Sequence, residues 1–381
     1  MKKHRVALFL NDMNAAGGIQ RVAANMARDL QQDFETVILT AYSQDRGAVF
    51  SEPGVTVMSL DFPYFPGKFY PGWREMLVMG RKLRRFVAEN GIDTVICFWF
   101  HLAVIGALAL PRSVKKIGFE HIPFAAAPGG LLGWASLRRW SYPRLDAVVS
   151  LSHDDSAEFA SVSRQAHVIP NYVSLPAPRD VEVREKMLLT VGHIVFRKGL
   201  DRLLWALKDP LLANPDWKLV IVGGGEGGHE EHWYIPYLHD LANLLRIGGQ
   251  VELNPASSRI DDWYARAAVY VMGSRQEGFP MVLLEAKSHG LPIISYNCPT
   301  GPREIVRHDV DGFLIDNDLP SFAAAATALM RDASLRQRMS VAAIEDVRDR
   351  FLSTRVCARW RNLIDAIHEN RQLVEVEAAS R

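Results

Sequence analysis

The segment Val269-Tyr270-Val271-Met272-Gly273-Ser274-Arg275-Gln276-Glu277-Gly278-Phe279-Pro280-Met281-Val282-Leu283-Leu284-Glu285-Ala286 carries three structural signals in succession. Residues 269–272 form a short apolar, β-branched run closed by glycine, the pattern of a buried strand. Gly278 and Pro280 then turn the chain, and a helix begins after Pro280. Glu277 falls in the loop and Glu285 about one helical turn in, with the helix's first backbone N–H groups between them at the positive end of its dipole. A first-turn glutamate alone is ordinary. The whole arrangement suits an anion held by backbone amides beside two carboxylates that accept hydroxyl hydrogen bonds.

The same order of strand, loop and helix extends along the 381 residues. Strands are expected at 5–11, 35–42, 55–60, 94–98, 116–120, 147–150 and 167–169, and a second series at 186–191, 218–222, 250–253, 269–272 and 292–296. Helix-length segments separate them, which is the signature of parallel sheets with helical crossovers. Between the series, residues 175–180 (LPAPRD) place two prolines among polar residues and mark a domain boundary. The expected class is α/β, with Rossmann-like doubly wound domains over 1–176 and 181–360 and a C-terminal helix or tail over 361–381 packing back on the first domain. Open α/β sheets bind ligands outside the carboxyl ends of their strands, so two such domains facing each other would form one inter-domain cleft.

Composition narrows the partners. Lys and Arg number 44 against 43 Asp and Glu, a formal net charge of +1. Without a global positive field, no nucleic acid is expected. Cys97, Cys298 and Cys357 are too few and too scattered for a metal knuckle or a disulfide framework, which fits a reducing cytoplasm. The apolar run at 6–10 is short for a secretory signal, and the one at 95–110 falls short of the roughly 20 residues of a membrane span.

Several loops after strands carry chemistry. Asn14-Ala15-Ala16-Gly17-Gly18 opens into a helix, and such a glycine turn serves either a phosphate or plain turn geometry. Gly192-His193-Ile194-Val195-Phe196-Arg197-Lys198-Gly199 supplies cations for a diphosphate, with a solvated basic turn as the plain alternative. Gly223-Gly224-Gly225-Glu226-Gly227-Gly228 has the form G-x-G-x-x-G, which points to an NAD(P)-dependent oxidoreductase. That fingerprint belongs after the first strand of its domain, whereas here it follows the second, and the nearest acid, Glu252, lies inside its strand. Asp309-Val310-Asp311 and Asp316-Asn317-Asp318 are D-x-D triplets, the first before a glycine turn and the second before a helix that aspartate caps well. Both are read as structural, so neither a metal nor a cofactor is expected.

With these motifs the chain resembles the retaining glycosyltransferases of family 4, of GT-B architecture, and in particular the bacterial polysaccharide and glycan-assembly branch. The resemblance rests on Gly17-Gly18, Glu120-His121, Ile169-Pro170-Asn171, the Gly192 to Gly199 loop, the Glu277 and Glu285 pair, and Asn297-Cys298-Pro299-Thr300-Gly301-Pro302-Arg303-Glu304-Ile305. It implies transfer of a hexose-type sugar from a UDP-linked donor to a growing glycan, with retention at the anomeric carbon and no metal. It further implies that Glu277 contacts the donor sugar, Glu285 the ribose hydroxyls and Lys198 the diphosphate, while His121 lines the sugar site. Gly17, Gly18, Gly192, His193, Arg197, Gly278, Phe279, Pro280, Met281 and Val282 would complete the donor site. Many relatives carry arginine where this chain has His193. The remaining alternative is a catalytically degenerate sugar-nucleotide-binding protein.

Between Trp73 and Val87 the apolar residues Trp73, Met76, Leu77, Gly80, Leu83 and Val87 share helical spacing, with Arg74, Arg81, Lys82 and Arg85 on another side. Leu131, Leu132, Trp134, Leu137 and Trp140 alternate with Arg138 and Arg139 nearby. Two ordinary core-facing helices would read this way. So would a peripheral enzyme at the cytoplasmic face of a membrane, acting on a lipid-linked acceptor.

Overall fold

The computed structural model describes residues 3–14, 17–43, 52–63, 70–127, 133–176, 184–224 and 229–371. The chain divides into two compact units, the first made of Met1–Asn171 with Ser353–Arg381 and the second of Tyr172–Leu352. In the first, β1 (Arg5–Leu10), β2 (Glu35–Tyr42), β3 (Thr56–Phe62), β4 (Thr94–Cys97), β5 (Lys115–Glu120), β6 (Ala147–Ser150) and β7 (Ala166–Val168) form a sheet in the order β3-β2-β1-β4-β5-β6-β7. In the second, β8 (Met187–Val191), β9 (Lys218–Val222), β10 (Val251–Asn254), β11 (Val269–Met272), β12 (Ile293–Tyr296) and β13 (Gly312–Ile315) run in the order β10-β9-β8-β11-β12-β13. Every pairing is parallel. Helices cover both faces of a doubly wound sheet, which is why its central strands are continuously apolar. Val6 to Leu10 of β1 and all of β4, β11 and β12 are buried.

Strand order reverses between β1 and β4 in one unit and between β8 and β11 in the other. At such a switch point the loops leaving the two strands diverge to opposite faces and open a crevice at their carboxyl ends. The loop after β8 holds His193 to Lys198, and the loop after β11 holds Ser274 to Glu277.

The observed strands agree with the expected ones to within two residues at each end, four of them residue for residue, and β13 is additional. Four residues at a sheet edge just after a turn give too short a pattern to read. The larger difference is the membership of the last helix. The expected boundary closes the second domain at 360 and packs only 361–381 back on the first, whereas the helix Ser353–His368 belongs wholly to the first unit, which itself breaks at Asn171 rather than 176. Burial explains this. Val356, Cys357, Trp360, Leu363, Ile364 and Ile367 form the helix's buried face, and Trp360 meets Phe119 of β5 edge to face at 4.9 Å. Arg361 pairs with Asp33, Thr94 bonds the His368 ring at 2.7 Å, and that ring stacks on His4 at 3.8 Å.

Trp360→Ala should therefore destabilise the first unit by about 3–5 kcal/mol through the cavity it leaves. Urea titration of the variant should show a first-unit transition at lower denaturant, with the second unit's transition unmoved.

Candidate active site

The second unit's site begins with backbone proximity. Gly192 ends β8 at φ +145°, and a Cβ on Gly223, after β9, would overlap the Gly192 carbonyl. Gly199 (φ +61°) closes the next turn, and its Cβ would overlap the Gly273 carbonyl after β11. Only glycine permits both approaches. As a result the Lys198 ammonium donates to Glu277 Oε1 at 2.7 Å, and the Ser274 hydroxyl donates to the same oxygen at 2.6 Å. Glu277 is 7% exposed, and its Oε2 lies 3.7 Å from Arg197, which also donates to the Gln276 carbonyl at 3.1 Å. A small pocket beside the pair is lined by Gly192, His193, Lys198, Ser274 and Val282.

The loop after Glu277 is pinned on both sides of the peptide. Glu277 N–H donates to the Pro299 carbonyl at 3.1 Å, and Thr300 N–H donates to the Glu277 carbonyl at 2.8 Å. Gly278, Phe279 and Pro280 lead into the helix Met281–Ser288, whose N-terminus has no side-chain cap. Its first amides, at Met281 and Val282, point out of the positive end of the helix dipole. Glu285 lies one turn in and half-buried, accepting from the Tyr264 hydroxyl at 2.9 Å. His289 stacks on Tyr264 and bonds the Glu285 carbonyl at 2.9 Å. The sequence reading gave no role to Ser274, Tyr264 or His289, whose signal exists only once β8, β11 and their helices are assembled.

In the first unit, Gly17 and Gly18 stand at the start of the helix Gly18–Leu30, while Ala15 and Ala16 lie outside the described residues. His121 follows β5 directly, stacked on Phe98 and tilted against Phe119. Burial pushes its pKa down to about 3, so the ring is neutral near pH 7. Its Nε2 is buried with no hydrogen-bond partner among the described residues. His101, which the sequence reading took only as a break in an apolar run, is likewise held down to about 3 by burial and bonds Asn11 at 2.9 Å.

Two family models match in tandem. Glycosyltransferase Family 4 covers residues 16–175, and Glycosyl transferases group 1 covers 176–346. The amylovoran biosynthesis glycosyltransferase AmsD of Erwinia amylovora is 32% identical over 95% of this chain and 100% of its own length. The chain belongs to glycosyltransferase family 4. An uncharacterized glycosyltransferase of Haemophilus influenzae is 28% identical over 89% of this chain and 94% of its own. Among solved structures, TarM superposes with a TM-score of 0.79 at 11% identity, over 95% of this chain and 99% of TarM. Anabaena HepE, crystallised with UDP, gives 0.77 at 17% identity, over 96% and 100%. Both sheets thus have the Rossmann-like form of the GT-B glycosyltransferases, and the family match leaves the oxidoreductase alternative without support.

Other motifs of this glycosyltransferase have structural partners. Asp311 is fully buried against Lys287, itself fully buried, which also pairs with Asp346, and Arg307 closes the group at 2.7 Å from Asp311. Asp316 accepts from Asn297 at 2.7 Å, and Asp318 caps the helix Leu319–Arg331 through Ser321 N–H. Gly223 and Gly224 lie after β9, while 225–228 lie outside the described residues. The expected apolar stripe of the helix Trp73–Glu89 divides in two. Met79, Gly80, Leu83 and Val87 pack inward, whereas Trp73, Leu77 and Val78 are exposed. In the helix Trp134–Ser141, Trp134 and Leu137 pack against the core and Arg138 is buried over Phe124, so only Arg139 and Trp140 face outward; Leu131 and Leu132 are outside the described residues.

Glu120, beside His121, is buried and accepts from the Tyr142 hydroxyl. Burial raises its carboxyl from 4.5 to about 7, against the pull of Tyr142 and Arg138, with Asp155 adding to the rise. Because the folded pKa lies above the unfolded one, the stabilising proton is fully held below pH 4.5 and lost as pH rises through 7. Glu120→Gln should remove that loss, so stability relative to wild type should grow by roughly 3 kcal/mol between pH 4.5 and 8. Paired denaturation curves across this range check it, and parallel curves would contradict the assignment.

Proposed function

We propose that this family 4 enzyme transfers a hexose-type sugar from a UDP-linked donor to a growing, lipid-linked glycan in polysaccharide assembly, with retention and without a metal. The observation that carries the reading is the Lys198, Ser274 and Glu277 cluster at the β8/β11 switch point, followed by a helix with Glu285 in its second turn. Lys198 has three N–H donors, of which Glu277 takes one, leaving others for a diphosphate. The amides of Met281 and Val282 add the helix-terminal field that favours phosphate oxygens. Glu277 Oε2 is the oxygen available to sugar hydroxyls, and Glu285 takes the ribose. His193, Arg197, Gly192, Gly278, Phe279 and Pro280 line the donor. AmsD, named for amylovoran biosynthesis, supports a polysaccharide product, and HepE, crystallised with UDP, supports the nucleotide.

In the step itself, the bond between the anomeric carbon and the diphosphate oxygen breaks while the acceptor oxygen bonds that carbon on the same face. The acceptor proton passes to the departing phosphate. Charge develops on the diphosphate, where fixed dipoles and the Lys198 ammonium stabilise it. Of the D-x-D aspartates, Asp311 is taken by Lys287 and Arg307, Asp316 by Asn297 and Asp318 by the Ser321 amide.

A donor screen over UDP- and GDP-sugars tests the reading, with turnover of a UDP-hexose as the expected result. Glu277→Gln should lower kcat roughly a hundredfold with UDP affinity nearly intact. Glu285→Gln should weaken UDP itself. Lys198→Ala should raise the donor KM and lower kcat together. The reverse pattern for the two glutamates would overturn their roles.

For the acceptor, the support is the outward face of the helix Trp73–Glu89, where Trp73 (68% exposed), Leu77 and Val78 stand among the exposed Arg74, Arg81, Lys82, Arg84 and Arg85. Trp140 (58% exposed) adds a second aromatic. Interfacial aromatics with basic neighbours fit a peripheral site on the anionic cytoplasmic leaflet. No helix among the described residues is long and apolar enough to cross a membrane. The protein should float with anionic but not neutral vesicles, and Arg81→Glu/Arg84→Glu should abolish flotation. Equal flotation on both would remove the electrostatic component.

A further inference from the structure

The turn that carries Lys198 is a single 3₁₀ turn, Phe196–Lys198, with little structure of its own to hold the ammonium against Glu277. Phe196 N–H donates to Glu230 at 2.9 Å and Arg197 to the Gln276 carbonyl at 3.1 Å, and a further set of contacts comes from a residue with no part in the transfer step. Arg275 forks onto Asp201, its Nη1 donating to Oδ1 at 2.9 Å and its Nη2 to Oδ2 at 2.7 Å. Nη1 also donates to the Phe196 carbonyl at 2.7 Å, and the guanidinium lies 3.8 Å over the Phe196 ring. The Arg275 backbone N–H donates to the Arg197 carbonyl at 2.9 Å. One residue thus grips two successive carbonyls and the ring of the turn while belonging to the loop that leads to Glu277.

The anchor is itself fixed. Asp201 is buried in the first turn of the helix Leu200–Ala213, where the dipole favours a carboxylate. Tyr234, from the helix His229–Leu244, donates to Asp201 Oδ1 at 2.7 Å. Burial would raise the Asp201 carboxyl, but the Arg275 fork and the Tyr234 hydroxyl outweigh it and hold the group below its ordinary value. The anchor therefore stays charged.

We propose that Arg275 is a positioning residue, clamping the Phe196–Lys198 turn to the 273–277 loop through Asp201 so that Lys198 and Glu277 meet the donor at a fixed separation. This rests on the donor roles proposed above for Lys198 and Glu277. Lysine cannot replace the clamp, because an ammonium has no planar fork to reach Asp201, the Phe196 carbonyl and the Phe196 ring together.

The test has one readout free of substrate. In Arg275→Ala, amide hydrogen exchange at Lys198 and Gly199, whose N–H groups close the turn onto Val195 and Phe196, should accelerate about tenfold or more while β8 and β11 stay protected. Arg275→Lys and Asp201→Asn are milder and should move the same amides in the same direction, which covers a poorly folding alanine variant. In the donor assay, Arg275→Ala should lower kcat by roughly a hundredfold and raise the donor KM in the same direction as Lys198→Ala. Adding Lys198→Ala to Arg275→Ala should then cost far less than Lys198→Ala costs alone, since residues acting as one unit are non-additive. Unaltered exchange in all three variants, or additive losses in that cycle, would overturn the clamp. A wild-type chain inert toward every sugar nucleotide would refute the donor reading, and the exchange experiment would still decide the clamp.

Discussion

The second unit depends on how closely backbone can approach backbone at the carboxyl ends of β8, β9 and β11. Where Gly223 meets the Gly192 carbonyl and Gly199 meets the Gly273 carbonyl, no side chain fits. That constraint brings the loop after β8 within side-chain reach of the loop after β11. Lysine and glutamate at 198 and 277 are then opposed at hydrogen-bond distance although 79 residues separate them along the chain. The mixed residues Ser274, Arg275 and Asp201 act on this prior contact and would have nothing to join without it.

The two units solve the problem of polar groups near a switch point differently. The second unit keeps its charges and pairs them, as in Lys198 with Glu277 and Arg275 with Asp201. The first unit buries histidines among aromatic rings, where desolvation leaves His101 and His121 neutral, and buries Glu120 so that its proton is retained nearly to neutrality. Paired ions give a fixed field, whereas neutral imidazoles give uncharged hydrogen-bonding edges.

Much of this was legible in the sequence because it is local. Apolar runs after helix-length spacers identify the strands, and glycine or proline after them identifies the loops, so the two sheets and the segment from Ser274 to Glu285 could be read in order. What was not legible joins distant residues. Arg275 and Asp201 are 74 positions apart, and nothing in either neighbourhood signals the other. The sequence reading places a C-terminal helix back on the first domain from 361 on, but nothing in residues 353–360 marks that the helix's first turns go there too. The helix Trp73–Glu89 shows the same limit from the other side. Periodicity found its apolar residues without separating Leu83, which packs inward, from Trp73 and Leu77, which do not.

That returning helix has a consequence for the order of events on the ribosome. Residues 172–352 form one uninterrupted stretch and hold every strand of the second sheet, so that unit has all its material once Leu352 has emerged. The first unit, although synthesised earlier, lacks Trp360 and its apolar neighbours until the final helix is made, and until then exposes the surface of β5 that Trp360 covers. Domains commonly complete themselves in the order of translation. In this chain the unit written first is the unit finished last, and a released chain truncated after Leu352 would carry a closed second unit and an open first one.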